Sequence, residues 1–102
     1  MIERKKSSER DLSEIVPELK LATLDTKVRV EWRKTNFDAL ELQYRKAGTT
    51  TWQAGDKSTV NVFEFAPPLA PGVPEKYEFR AVLLIKNQRV GNWSPIYTLT
   101  VG

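Results

Sequence analysis

Catalysis in water draws on a short list of side chains, and this sequence holds few of them. It has no histidine and no cysteine. That removes the commonest general base at neutral pH, the commonest metal ligand, the thiolate nucleophile and any disulfide. Carboxylates and amines remain. Two carboxylate pairs stand three residues apart, Asp38 with Glu41 and Glu75 with Glu78. Such a pair does acid–base work only when burial or a like charge drives its two pKa values apart. Both pairs fall in turns or on the polar faces of alternating segments, where water solvates them alike. No glycine-rich loop offers a cradle for phosphate, and Gly91 stands alone. The expected catalytic residues, cofactors and metal ligands are therefore none, and the chain reads as a non-enzyme.

Contact is the chemistry left. An exposed tryptophan anchors an interface or stacks on a sugar ring. Trp52 follows the polar loop Gly48 to Thr51, and both a structural and a contact role stay open for it. Trp93 reads first as structural. The basic residues Lys27, Arg29, Arg33, Arg45, Lys46 and Arg80 fall on outward positions and can form a stripe. Glu31, Glu41 and Glu78 are interleaved with them, which favours ordinary cross-strand charge pairing.

These side chains need a scaffold, and the length allows one. A chain of 102 residues, 40% hydrophobic and 28% charged, suits a single cooperative domain. The net charge is +3, and much of it lies in the first ten residues, where Arg4, Lys5, Lys6 and Arg10 oppose Glu3 and Glu9. A nucleic-acid footprint needs a denser basic face, so none is expected. No apolar run approaches the ~20 residues of a membrane span, and Ser7 to Glu14 is polar where a signal peptide needs an apolar stretch. Taken as complete, the chain is expected in the cytoplasm; taken as a piece of a longer protein, it belongs outside the cell or in a larger assembly.

Residues 1–16 read as a leader, either flexible or forming a short helix capped by Ser8 and ended by Pro17. From Pro17 onward the period is two. Val28, Val30 and Trp32 share one face of a strand whose other face is charged. Leu40, Leu42 and Tyr44 repeat the pattern, as do Tyr77, Phe79 and Ala81, before Val82 to Ile85 turns apolar on both faces. Leu19 and Leu21 mark a first strand; Tyr97, Leu99 and Val101 mark a last. Residues 59–66 are ambiguous, because Val60 and Val62 lie in one frame and Phe63 and Phe65 in the other, and a bulge near Val62 would reconcile them. Turn signals include Asp25-Thr26, Thr35-Asn36, Ala47-Gly48, Gly55-Asp56, Pro71-Gly72 and Gly91-Asn92. Six or seven short strands predict an all-β two-sheet sandwich or a small barrel.

The order of landmarks narrows the choice. Trp32 closes the second strand, Leu40 to Arg45 forms the third, and Leu69-Ala70-Pro71-Gly72 leads to Tyr77-x-Phe79-Arg80-Ala81. Trp93-Ser94-Pro95 then precedes a closing strand rich in Thr and Val. This resembles a fibronectin type III domain over residues 17–102. The resemblance implies an immunoglobulin-like sandwich of seven antiparallel strands, with third and sixth strands side by side. It makes Trp32, Tyr44, Leu69, Tyr77 and Phe79 the structural core. One departure stands out: Tyr77 lies eight residues beyond Leu69, two more than is usual in that family. The longer corner leaves the tyrosine hydroxyl a different backbone partner, or none.

Such a domain implies a non-catalytic protein-interaction or spacer module. The alternatives are a structural domain of a larger assembly, such as a phage tail or cell-surface fibre, and a carbohydrate-binding accessory domain. The expected contact surface is Trp52, Arg45, Arg80, Asn36, Arg89 and Asn92, on the sheet face and on two loops, 35–38 and 87–92. No Arg-Gly-Asp tripeptide stands in the latter, so integrin-type adhesion is not implied. The expected partner is a protein of unknown identity or a polysaccharide, and the chain is expected as a monomer or a weak dimer through open strand edges.

Overall fold

Alternation of apolar and charged residues decides the architecture. In the computed structural model, which describes residues 14–102, Lys27–Trp32 (β2) places Val28 and Val30 at 0% exposure and Trp32 at 4%, with Arg29 and Glu31 on the other face. Leu19–Leu24 (β1) pairs antiparallel with β2, Leu21 opposite Val30. Val62–Phe65 (β5) pairs with its other side, Val28 opposite Phe65 and Val30 opposite Phe63. These three strands make one sheet in the order β1-β2-β5.

The second sheet is built on Ala39–Lys46 (β3) and Glu75–Ile85 (β6), which pair over eight residues, Tyr44 opposite Phe79 and Gln43 opposite Arg80. Gln53–Ser58 (β4) flanks β3. Gln88–Val90 (β7) and Tyr97–Val101 (β8) both pair with β6. They are two stretches of one closing strand interrupted by residues 91–96, so the eight segments occupy the seven strand positions expected. The result is an all-β sandwich of two antiparallel sheets.

The core lies between the sheets. Val28, Val30, Trp32, Leu40, Leu42, Tyr77, Phe79, Ala81, Leu83 and Val101 form one buried cluster. Tyr44, Phe65, Tyr77 and Phe79 meet as tilted and edge-on ring pairs 5.2 to 6.2 Å apart, geometries that suit the ring quadrupoles. Trp32 spends no polar group unpaired, since its Nε1 donates to the Val60 carbonyl at 2.7 Å. Tyr44 and Leu69 pack on this cluster half-buried. The Tyr77 hydroxyl donates to the Pro68 carbonyl, so the lengthened corner supplies it a backbone partner.

Pairing with β2 selects the frame in β5. Phe63 and Phe65 pack on the core, while Val60 and Val62 are 55% and 37% exposed. Two turn expectations are corrected. Gly55-Asp56 lies inside β4, where the β3–β4 register shifts between Leu42 and Gln43. A Cβ at Gly55 would stand 2.8 Å from the Leu42 carbonyl oxygen, so glycine here serves close approach at a bulge. The hairpin after β6 turns at Lys86-Asn87, both at positive φ (51° and 64°), which is the two-residue turn whose twist matches the flanking strands. Gln88–Val90 therefore continues as strand.

The leader expectation falls mostly on residues 1–13, which lie outside the described residues. Ile15 packs on the core, and its carbonyl accepts from the Asn92 N–H at 2.8 Å. Among the described residues no helix is long and apolar enough to cross a membrane.

Candidate functional site

Register on the five-stranded sheet fixes what its outer face displays. With Leu40, Leu42 and Tyr44 turned inward, β3 must present Glu41, Gln43 and Arg45 outward. Likewise β6 presents Glu78, Arg80, Val82 and Leu84. Val82 and Leu84 are only 1% and 2% exposed, yet neither belongs to the central cluster. Their burial needs a cover on the outer face. Their register neighbours there are Glu41, opposite Val82, and Arg89, opposite Leu84.

The same face carries a stack of alternating cations and rings. The Arg45 guanidinium lies 4.1 Å from the centroid of Trp52, and that of Arg80 lies 4.5 Å from the same ring. Arg80 is also 4.0 Å from the centroid of Trp93, and Arg89 is 5.0 Å from it. The order Arg45, Trp52, Arg80, Trp93, Arg89 thus runs across β3, the segment before β4, β6, the break in the closing strand, and β7. Each such contact stabilises by about 0.5–1 kcal/mol where exposed and by more as water is excluded.

Carboxylates and an amide fix the arginines from below. Arg89 holds Glu41 through two parallel hydrogen bonds, Nε to Oε1 at 2.8 Å and Nη2 to Oε2 at 2.9 Å. Arg45 Nε donates to Glu78 Oε1 at 2.6 Å, with both side chains about one-fifth exposed. Arg80 Nε donates to Gln43 Oε1 at 2.9 Å. The hydrogen bond from Arg89 holds the Glu41 carboxyl below its ordinary pKa against the opposing pull of burial, and the same bond raises Arg89. Burial, followed by the Arg45 and Arg89 charges, pushes the Arg80 guanidinium down from its ordinary value.

Ser94 positions Trp93. Its N–H donates to the Ala81 carbonyl at 2.7 Å, its Oγ accepts from the Ala81 N–H at 3.0 Å, and the hydroxyl donates to Pro95. One buried serine thereby stands in for a strand partner where the closing strand is interrupted, and it aims the neighbouring indole over β6.

Trp52, Arg45, Arg80 and Arg89 therefore meet in one stack, with Trp93 as its second ring. Asn36 stands apart, exposed in the turn between β2 and β3. Asn92 sits beside Trp93 in sequence, with its backbone tied to Ile15. The two loops do share an end of the sandwich: the Asp38 N–H donates to Leu84 O, and Asp38 Oδ2 accepts from the Lys86 N–H at 2.6 Å. Sequence reasoning missed Gln43 and Ser94. Gln43 has no distinguishing type in its segment, and Ser94 was read only as part of the Trp93-Ser94-Pro95 landmark. Their roles here depend on Arg80 and Ala81, 37 and 13 residues away.

The carboxylates that looked spaced for acid–base chemistry are engaged elsewhere. Glu41 holds Arg89, Glu78 holds Arg45, and Glu75 lies 3.9 Å from Lys46. Among the described residues no three acidic side chains gather as a metal site.

No family model matches the chain, and no curated protein matches it. Solved structures do. The FN5 domain of Drosophila Lar superposes with a TM-score of 0.61 at 16% identity, covering 84% of this chain and 94% of that one. The twitchin kinase region from C. elegans (Fn31-NL-kin-CRD-Ig26) superposes equally well at 18% identity, covering 83% of this chain, which spans only 16% of that structure. At such identities the likeness speaks for the fold alone. Two antiparallel sheets, the tyrosine at the corner and these neighbours together make the chain a fibronectin type III-like sandwich.

Proposed function

We propose that the chain is a non-catalytic protein-interaction or spacer module, and that its contact surface is the outer face of the five-stranded sheet. The supporting observation is the stack itself. Three arginines and two half-buried tryptophans, residue types enriched at interface hot spots, are held in fixed order by hydrogen bonds to rigid strands. Ordering before contact lowers the entropy cost of binding. A sugar-stacking role has less support, because guanidinium groups already lie over both indoles and a sugar ring must compete with them.

Catalysis finds no support in the same geometry, since the outer-face carboxylates serve as counter-ions. The reading is tested by capture from the source cell, comparing the wild-type chain with Trp52→Ala. A protein retained by the first and lost with the second supports the face as the contact surface. Identical retention by both places the contact elsewhere, and retention of nothing leaves the spacer role.

A further inference from the structure

Two of the three stacked arginines already have a carboxylate: Arg45 is paired with Glu78 and Arg89 with Glu41. Arg80, central in the stack, is not. Its Nε is taken by the neutral oxygen of Gln43, and among the described residues no carboxylate lies within ion-pair distance. The face thus sets three guanidinium groups, with Lys57 and Lys76 beside them, against the carboxylates of Glu41 and Glu78. Two indoles hold the Arg80 guanidinium in place, at 4.5 and 4.0 Å. No described acceptor meets its two terminal nitrogens, and no buried polar atom is left without a partner, so those nitrogens face water.

A guanidinium in that state is a pre-oriented fork. Its two remaining N–H edges match the spacing of a carboxylate, and stacking has already removed most of its rotational freedom. We propose that Arg80 receives a glutamate or aspartate side chain from an acidic segment of a partner protein, bound through both Nη nitrogens with its apolar stem against Trp52 and Trp93. This rests on the reading of the face as a contact surface and names the chemistry of its occupant. Lys57, opposite Glu41 on β4, and Lys76 on β6 add charge to the same face, but of its cations without a carboxylate only Arg80 is a fork held between two rings, which fits one carboxylate. A nucleic acid calls for a dense row of free cations, and here Glu78 and Glu41 already neutralise Arg45 and Arg89. Repulsion from Arg45 and Arg89 acts in the same direction, because an arriving anion relieves it.

The test uses the full chain and a short acetylated, amidated peptide of alternating Glu and Gly, with a second peptide carrying Gln for Glu. Nitrogen-15 NMR follows the Arg80 guanidinium and the indole N–H signals of Trp52 and Trp93. The Glu peptide is expected to shift all three saturably, and more weakly as salt rises; the Gln peptide leaves them unmoved. Arg80→Lys keeps the charge but removes the fork, and is expected to weaken binding about ten-fold. Unshifted Arg80 signals with the Glu peptide, equal shifts with both peptides, or undiminished binding by Arg80→Lys overturn the proposal. The two wild-type titrations decide it even if the variant fails to fold. Should Trp52→Ala lose a captured protein while the Glu peptide leaves Arg80 unmoved, the contact-surface reading stands and the carboxylate assignment falls.

Discussion

The same two strands, β3 and β6, bury side chains on both faces by different physics. Inward, Leu40, Leu42, Phe79 and Leu83 leave water through apolar contact alone, and Tyr77 adds to that contact only the hydrogen bond of its hydroxyl to Pro68. Outward, Val82 and Leu84 reach the same near-zero exposure on a face that displays arginines, glutamates and tryptophans. The inner layer depends on area removed from water, roughly 25 cal/mol per Å². The outer layer depends on charge: cation–π contacts and ion pairs, each about 1 kcal/mol and each sensitive to salt or acid. One face therefore serves stability, and the other keeps polar chemistry in fixed order at the surface.

The comparison is most strongly tested on the inner side. Phe79→Ala is expected to cost ~3–5 kcal/mol, as is Trp32→Ala, in urea unfolding followed by far-ultraviolet circular dichroism. Neither loss should vary with salt. Gly55→Ala comes next, at ~1–3 kcal/mol by the same measurement, because its Cβ meets the backbone oxygen of Leu42 and stands 3.5 Å from Tyr44 Cδ1. That bulge touches both faces, since Tyr44 packs inward and β4 follows directly on Trp52.

Outer-face changes are smaller and conditional. Trp93→Ala should cost about 1–2 kcal/mol by the loss of two cation–π contacts. Part of that loss should disappear in 1 M salt as charge is screened to within about 3 Å; a salt-independent loss would put the outer layer on the same footing as the core. Glu41→Gln is expected to cost about 1 kcal/mol at neutral pH. Folding lowers the Glu41 pKa, so its contribution is complete above the unfolded value of about 4.3 and fades as pH falls through the lower, folded value. Wild type and Glu41→Gln should therefore converge in stability only as pH falls through that lower, folded value, as read by thermal melts across the acid range.

The two faces were also unequally legible in the sequence. Inward positions of β2, β3 and β6 are strict apolar alternates, so their period announced them. The frame of β5 was open because both Val60/Val62 and Phe63/Phe65 are apolar; only pairing of Phe63 and Phe65 with Val30 and Val28 resolves it. β4 gave no strand signal. As an edge strand of Gln, Ala, Gly, Asp, Lys and Ser it buries little, and its place depends on its partner β3. Its Asp56, Lys57 and bulge also suit an edge that resists further pairing. At the site, Arg45 and Arg80 were readable by type and outward position, while Trp52 and Arg89 were readable by type alone, Arg89 being expected in a loop that is strand β7. Their order was not, because it depends on the break at 91–96 and on Ser94 holding Trp93 against Ala81.

The direct test of the outer stack is the proton NMR position of the Arg80 side-chain methylenes. A side chain lying over two indole rings is shifted strongly upfield by their ring currents, and the account expects that shift to fall by part in Trp52→Ala, by part in Trp93→Ala, and to vanish in the double variant. Arg80 methylenes at ordinary arginine positions in the folded wild-type chain would contradict it.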